Sequence, residues 1–230
     1  MFKEELIIIR HGRSKHNMRE TENLDAGLTD FGKRQAENVG KFFHSEMDLS
    51  GYKYFTSPYL RCLETASNIR DNAEQVGCNK FRVHPLFCEY LNHSGKECFV
   101  ESRKETMQDM KWNKFPDEGM NFGDEFNEVF LHRMHEAFDM LPQKSLVVTH
   151  GLPAIALVAI ARGQLHVPIW DHSIDNCSIT LIKRGRVVWH GRNLPHEVEF
   201  DAASHRRDHH VGILKEGIHG ESNSVGDTDS

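Results

Sequence analysis

The sequence has no apolar run approaching the roughly 20 residues needed to span a bilayer. Its first residues, Met1, Phe2, Lys3, Glu4 and Glu5, lack the long apolar region and small-residue cleavage site of a signal peptide. There is no basic tract, and 28 basic residues against 34 acidic ones leave a formal charge of −6, which argues against bulk nucleic-acid binding. Cysteine is scarce. Cys62, Cys78, Cys88, Cys98 and Cys177 are odd in number and show no Cys-x-x-Cys spacing, so free thiols in a reducing compartment are expected rather than a disulfide framework. No internal repeat is visible. These absences predict a cytoplasmic protein with no membrane or nucleic-acid partner.

What is present suits a globular domain. The 230 residues are 38% hydrophobic and 27% charged, enough for one sizeable α/β domain. That domain is expected over residues 1–200, with residues 201–230 as a flexible C-terminal tail whose end, from Gly217, is rich in Gly, Ser and Asp.

Residues 6–9 are a run of Leu and Ile that fits a strand buried on both faces. It ends in Arg10, His11 and Gly12, at the place where a parallel strand meets the ligand-binding rim of a sheet. A helix opens at Thr29, a plausible N-cap, with Ala36, Val39, Phe43 and Met47 as its apolar stripe. A strand at 52–56 leads to Ser57 and Pro58, read as the N-cap and first position of a second helix that carries Leu63, Ala66, Ile69, Ala73 and Val76 inward and stops at Gly77. Arg61 falls off that stripe, where it can face the same rim as Arg10. A weak strand at 81–84 precedes Glu89.

Residues 90–123 mix aromatics with charges of both signs and read as a partly helical insertion over the rim, suited to a substrate lid. A helix follows from Gly123, Asp124 and Glu125, with Phe126, Val129, Phe130, Met134, Ala137 and Leu141 on one face. Residues 145–149 form a second buried strand, ending in His150 and Gly151, before an apolar helix at 154–161. Residues 178–182 and 186–190 form a hairpin through Lys183, Arg184 and Gly185. The alternation predicts a three-layer α/β/α fold: a mainly parallel central sheet, a C-terminal antiparallel hairpin and a helical insertion over the active site.

Arg10, Arg61, His11 and His150 converging on one rim would make a positive pocket for a dianionic phosphoryl group. Glycine after each histidine would let the backbone turn and approach a ligand closely. The remaining histidines are ordinary expectations: His16, His44, His93, His132 and His135 as solvated or core-satisfied residues. His205 and His209 are spaced to clamp a metal only if helical and lack a second ligand pair, so no metal is expected. Cys62, beside Arg61, is expected to be a buried inert thiol rather than one of lowered pKa.

Taken together, these residues resemble the histidine phosphatase superfamily, also called phosphoglycerate mutase-like, over roughly residues 5–200. Arg10, His11 and Gly12 with Asn17 are similar to its signature. Leu28, Thr29, Gly32, Gln35 and Ala36 are similar to its next helix opening. Ser57, Pro58, Arg61, Thr65 and Ala66 resemble the helix that presents an arginine, and Leu86 with Glu89 the acid loop. Gly123, Glu125 and Arg133 resemble a later helix, and Thr149, His150 and Gly151 the second histidine strand, with Asn176 and Ser178 after it. The resemblance implies His11 as a nucleophile forming a phosphohistidine, and Glu89 as general acid and base. It implies Arg10, Arg61 and His150 as ligands of the phosphoryl oxygens, with Asn17 as a further phosphate contact. It implies no metal and no other cofactor. The partner would be a small phosphomonoester, and the chain a monomer or homodimer.

Three activities fit that resemblance: a phosphatase, a cofactor-dependent phosphoglycerate mutase, and an inactive relative that binds phosphate ligands or proteins. The inactive reading is disfavoured because the histidines, arginines and acid are intact. The mutases carry Glu-Ser and a Trp before the Asn, and Glu-Arg-x-Tyr-Gly at the acid. Here the residues are Arg13, Ser14, Lys15, His16 and Asn17, then Glu89, Tyr90, Leu91 and Asn92. A phosphatase is therefore expected.

Overall fold

The computed structural model describes residues 2–77, 81–90, 98–100, 103–109, 120–122, 125–164 and 173–194. All lie in a compact unit, Met1–His196; a second unit, Glu197–Ser230, is outside the described residues, as are Cys78, His93, His205, His209 and the expected tail.

The first strand, β1 (Glu5–Arg10), is buried on both faces as its composition requires. Ile7 and Ile9 enter one apolar cluster and Leu6 and Ile8 the other, following the two-residue alternation of a strand. Helix α1 (Asp30–Glu46) begins where expected. Thr29 Oγ1 accepts the Gly32 amide at 3.0 Å, and Ala36, Val39 and Phe43 are buried.

Strand β2 (Lys53–Thr56) leads to α2 (Leu60–Asp71), and a separate turn of helix, α3 (Glu74–Gly77), follows it. The sequence suggests one continuous helix from Pro58. Instead, Tyr59 precedes the helix in extended conformation, and the hydroxyl of Ser57 turns to His150 rather than capping. The cap comes from elsewhere in the chain: Asp25 Oδ1 accepts the Leu60 amide at 2.8 Å.

Strand β3 (Arg82–Val83) and a 3₁₀ turn at Pro85–Phe87 come next. In the insertion, β4 (Cys98–Val100) pairs antiparallel with β5 (Met120–Phe122), and α4 (Lys104–Asp109) lies between them in sequence. The insertion is thus helical in part and sheet in part.

Helix α5 (Asn127–Met140) starts later than the sequence suggests, and its inward face is rotated. Phe130, Met134, Ala137 and Phe138 are buried, whereas Phe126 is 77% and Val129 56% exposed. Spacings of four, seven and eight residues from Phe130 define one helical face, and Val129 sits about 100° off it. Strand β6 (Lys144–Thr149), the apolar helix α6 (Gly151–Ala161) and the hairpin β7 (Ile179–Lys183)–β8 (Arg186–Arg192) complete the chain.

The six-stranded sheet runs β3-β2-β6-β1-β7-β8. The first four strands are mutually parallel; β7 and β8 are antiparallel. Helices α1 and α2 cover one face through the cluster of Val39, Phe43, Leu63 and Ile69. Helices α5 and α6 cover the other through Phe130, Met134, Ile155 and Leu157. The chain folds as three α/β/α layers.

Candidate active site

Sheet order decides what meets at the rim. Strands β1 and β6 are neighbours in a register that pairs Arg10 with Thr149, so His11 and His150 are the next residues on each. The His11 amide donates to Thr149 O at 2.8 Å, continuing the ladder. The two imidazoles pack edge to face with centroids 5.2 Å apart. On the far side of β6, β2 pairs Thr56 with Val148 and delivers Ser57, whose Oγ shares a 2.8 Å hydrogen bond with His150 Nε2.

Both rings of His11 and His150 are buried, at 2% and 0% exposure. His11 Nδ1 lies 2.8 Å from the Gly12 carbonyl, which can only accept, so Nδ1 carries the proton. Its Nε2 accepts from Arg61 Nε–H at 3.2 Å. The lone pair is therefore on Nε2 and faces a guanidinium. Burial, then Arg61 and Arg10, holds the His11 pKa well below the usual imidazole range. Burial, then Arg61, His11 and Arg10, does the same for His150.

Arg61 is only 6% exposed, so it is not a solvated surface arginine. Its Nη1 donates to the Leu24 carbonyl at 2.6 Å, and its Cζ lies 4.4 Å from the centre of the Tyr59 ring. Arg10 Nη1 donates to the Ile174 carbonyl at 2.6 Å, and its guanidinium crosses in front of Gly151, the first residue of α6. Asn17 Oδ1 accepts from Ser14 Oγ at 3.0 Å and from Asn176 Nδ2 at 3.4 Å, which turns its NH₂ end away from them. Asn176 Nδ2 also donates to the His11 carbonyl at 2.9 Å, tying this loop to the end of β1.

Glu89 is half-buried beyond the 3₁₀ turn, its Oε1 accepting the Tyr90 amide at 2.9 Å. The loop that carries it is held by residues whose role the sequence does not disclose. Arg133 of α5 donates to the carbonyls of Leu86, Cys88 and Glu89 at 2.8, 3.0 and 3.3 Å. Its guanidinium is paired with Glu125 at 2.7 Å, and Thr149 Oγ1 donates to Phe87 O at 2.7 Å. Thr65 Oγ1 accepts the Gly12 amide at 3.0 Å. Cys62 is fully buried 3.5 Å from His150 Nε2, and burial pushes its pKa up, as expected of an inert thiol. Among the described residues no group of three or more His, Cys, Asp or Glu side chains could hold a metal ion.

Arg10, His11 and His150 at the ends of the adjacent parallel strands β1 and β6, with Arg61 of α2 donating to His11, form a largely buried cluster of two imidazoles and two guanidiniums at one rim of the sheet. The chain matches the model of the histidine phosphatase superfamily (branch 1) over residues 6–194, and it belongs to that family of phosphatases and mutases. Solved structures agree on the fold. An Escherichia coli K-12 protein described as a candidate alpha-ribazole-5'-P phosphatase is 18% identical, with a TM-score of 0.55, 84% of this chain and 97% of its own covered. Mycobacterial hydrolase 1 is 17% identical, with a TM-score of 0.59, 83% of this chain and 99% of its own covered. The product of open reading frame Rv3214 of Mycobacterium tuberculosis is 18% identical, with a TM-score of 0.55, 82% of this chain and 97% of its own covered. No curated protein matches the chain. No helix among the described residues is long and apolar enough to cross a membrane.

Proposed function

We propose that the protein is a phosphatase that hydrolyses a small phosphomonoester through a phosphohistidine on His11. The observation that carries this is the tautomer of His11: Nδ1–H is committed to the Gly12 carbonyl, leaving the Nε2 lone pair toward Arg61. In the first step Nε2 attacks phosphorus and the P–O bond to the alcohol breaks. Glu89 gives its proton to the leaving oxygen. In the second step Glu89 takes a proton from water, whose oxygen attacks phosphorus, and His11 is released with inorganic phosphate. Arg10 and Arg61, with His150 and Asn17 as further hydrogen-bond donors, hold the charged oxygens through both steps. These arginines supply the positive charge, so no metal is invoked. A neutral His11 remains a nucleophile at mildly acid pH, where an unperturbed imidazole would be protonated.

The test is hydrolysis of p-nitrophenyl phosphate at mildly acid pH in EDTA, followed by a quench in base. An acid-labile phosphoenzyme is expected, and His11→Ala should lower turnover by about a thousandfold or more. Glu89→Gln should cost on the order of a hundredfold with an alkyl phosphate, and far less with p-nitrophenyl phosphate, whose leaving group needs little protonation. Normal turnover by His11→Ala rejects the nucleophile. Isomerised 3-phosphoglycerate in the presence of its bisphosphate, without phosphate release, would make the enzyme a mutase.

A further inference from the structure

A buried ion pair joins the insertion to the loop beside the site. Arg103, next to α4, pairs with Asp25, and both side chains are 7% exposed. Such a pair is costly to desolvate and needs further hydrogen bonds to be stable. Here the additional bonds all lead toward Arg61. Asp25 Oδ1 accepts the amide of Leu60, the first residue of α2, at 2.8 Å. Arg103 Nε donates to the Pro58 carbonyl at 3.4 Å, just before that helix. Leu24, adjacent to Asp25, offers the carbonyl that receives Arg61 Nη1 at 2.6 Å.

A second connection runs in parallel. Cys98 of β4 receives the Tyr59 hydroxyl at 3.0 Å, and the Tyr59 ring lies under the Arg61 guanidinium, 4.4 Å from Cζ to the ring centre. Both connections start in the insertion and end on one side chain. Arg61 also donates to His11 Nε2, so its placement sets the charge that faces the lone pair.

We propose that Arg103 is a positioning residue for Arg61, acting through Asp25 to fix the start of α2 and the Leu24 carbonyl, and so coupling the insertion to the phosphoryl pocket. This rests on the reading that Arg61 binds the phosphoryl group. A side chain about 1 Å out of place can cost on the order of a hundredfold in rate.

The test is a double-mutant cycle on the full chain, reading kcat/KM for p-nitrophenyl phosphate and inhibition by inorganic phosphate. Arg61→Ala is measured first. If it leaves kcat/KM at the wild-type value, the reading of Arg61 fails, and the positioning role with it. If Arg61→Ala is impaired, Arg103→Ala in the wild-type background should lower kcat/KM by about tenfold to a hundredfold and weaken phosphate inhibition. The same substitution in Arg61→Ala should change little, because its effect passes through the missing side chain. Arg103→Lys keeps the charge opposite Asp25 and should recover part of the loss. A residue that only stabilises the fold would cost the same factor in both backgrounds, and that result overturns the proposal. Wild-type kcat/KM in Arg103→Ala also overturns it. If Arg103→Ala does not fold, Arg103→Lys carries the same cycle; failure of both to fold makes Arg103 a stability residue and likewise overturns the proposal.

Discussion

His11 and His150 pack together with Arg61 and Arg10 close by, an arrangement tolerable only while both rings stay neutral. That neutrality has a consequence for stability. A histidine whose pKa is depressed on folding binds fewer protons folded than unfolded. Its contribution is therefore complete above the ordinary imidazole value of 6.5 and is lost as pH falls below it. Each ring can contribute up to about 1.4 kcal/mol per pH unit to that loss. The melting temperature should be nearly flat from pH 8 to about 6.5. It should then fall toward pH 5, less steeply in His11→Ala than in the wild type. Equal steepness in the two would mean that His11 is protonated in the folded protein. Of this residue-scale chemistry, the residue types were legible in sequence. The tautomer, the Ser57 partner and the Arg133 clamp were not, because each depends on an atom brought from another element.

Among the elements, the joint between β1 and α1 is the tightest. A Cβ on Gly12 would come within 2.5 Å of the Gly32 carbonyl oxygen, a backbone atom that cannot swing aside. At Gly151 the nearest contacts of an added Cβ would be Arg10 Nε and Cζ at 3.7 and 3.8 Å, ordinary van der Waals spacing. The two glycines look equivalent in sequence, each following a histidine, yet they should behave differently. Gly12→Ala should destabilise by about 1–3 kcal/mol and suppress turnover, whereas Gly151→Ala should melt close to the wild type. Thermal melts of the two variants decide this; a Gly12→Ala protein as stable as the wild type would show that α1 can shift. Helices were legible in the sequence where local chemistry set their ends, as at Thr29. They were misread at Ser57 and Phe126, where a hydroxyl was taken by His150 and an apolar side chain was left facing solvent.

At the scale of the molecule, the described site lies wholly within Met1–His196, and the family match ends at residue 194. A chain cut after His196 should therefore keep the melting transition and phosphatase turnover of the full chain. Loss of either would assign Glu197–Ser230 a part in the fold or the chemistry. The insertion belongs to this scale too. Its β4–β5 pair and α4 come from irregular sequence, and contacts with Tyr59, Asp25 and Pro58, together with burial of Met107 in the main core, help to place them.

By itself the sequence determined the buried strands, the alternation that makes a mainly parallel sheet, and the family to which the order of its motifs points. Those follow from local period, from side-chain chemistry and from the order of motifs along the chain. Tertiary structure alone decided that β1 and β6 are neighbours although 133 residues separate Arg10 from Lys144 in the chain. That adjacency, a matter of strand order rather than of any local signal, brings His11, His150 and Arg10 together, and α2 adds Arg61 to them. There burial, with the guanidiniums close by, holds the histidine pKa values well below the usual imidazole range.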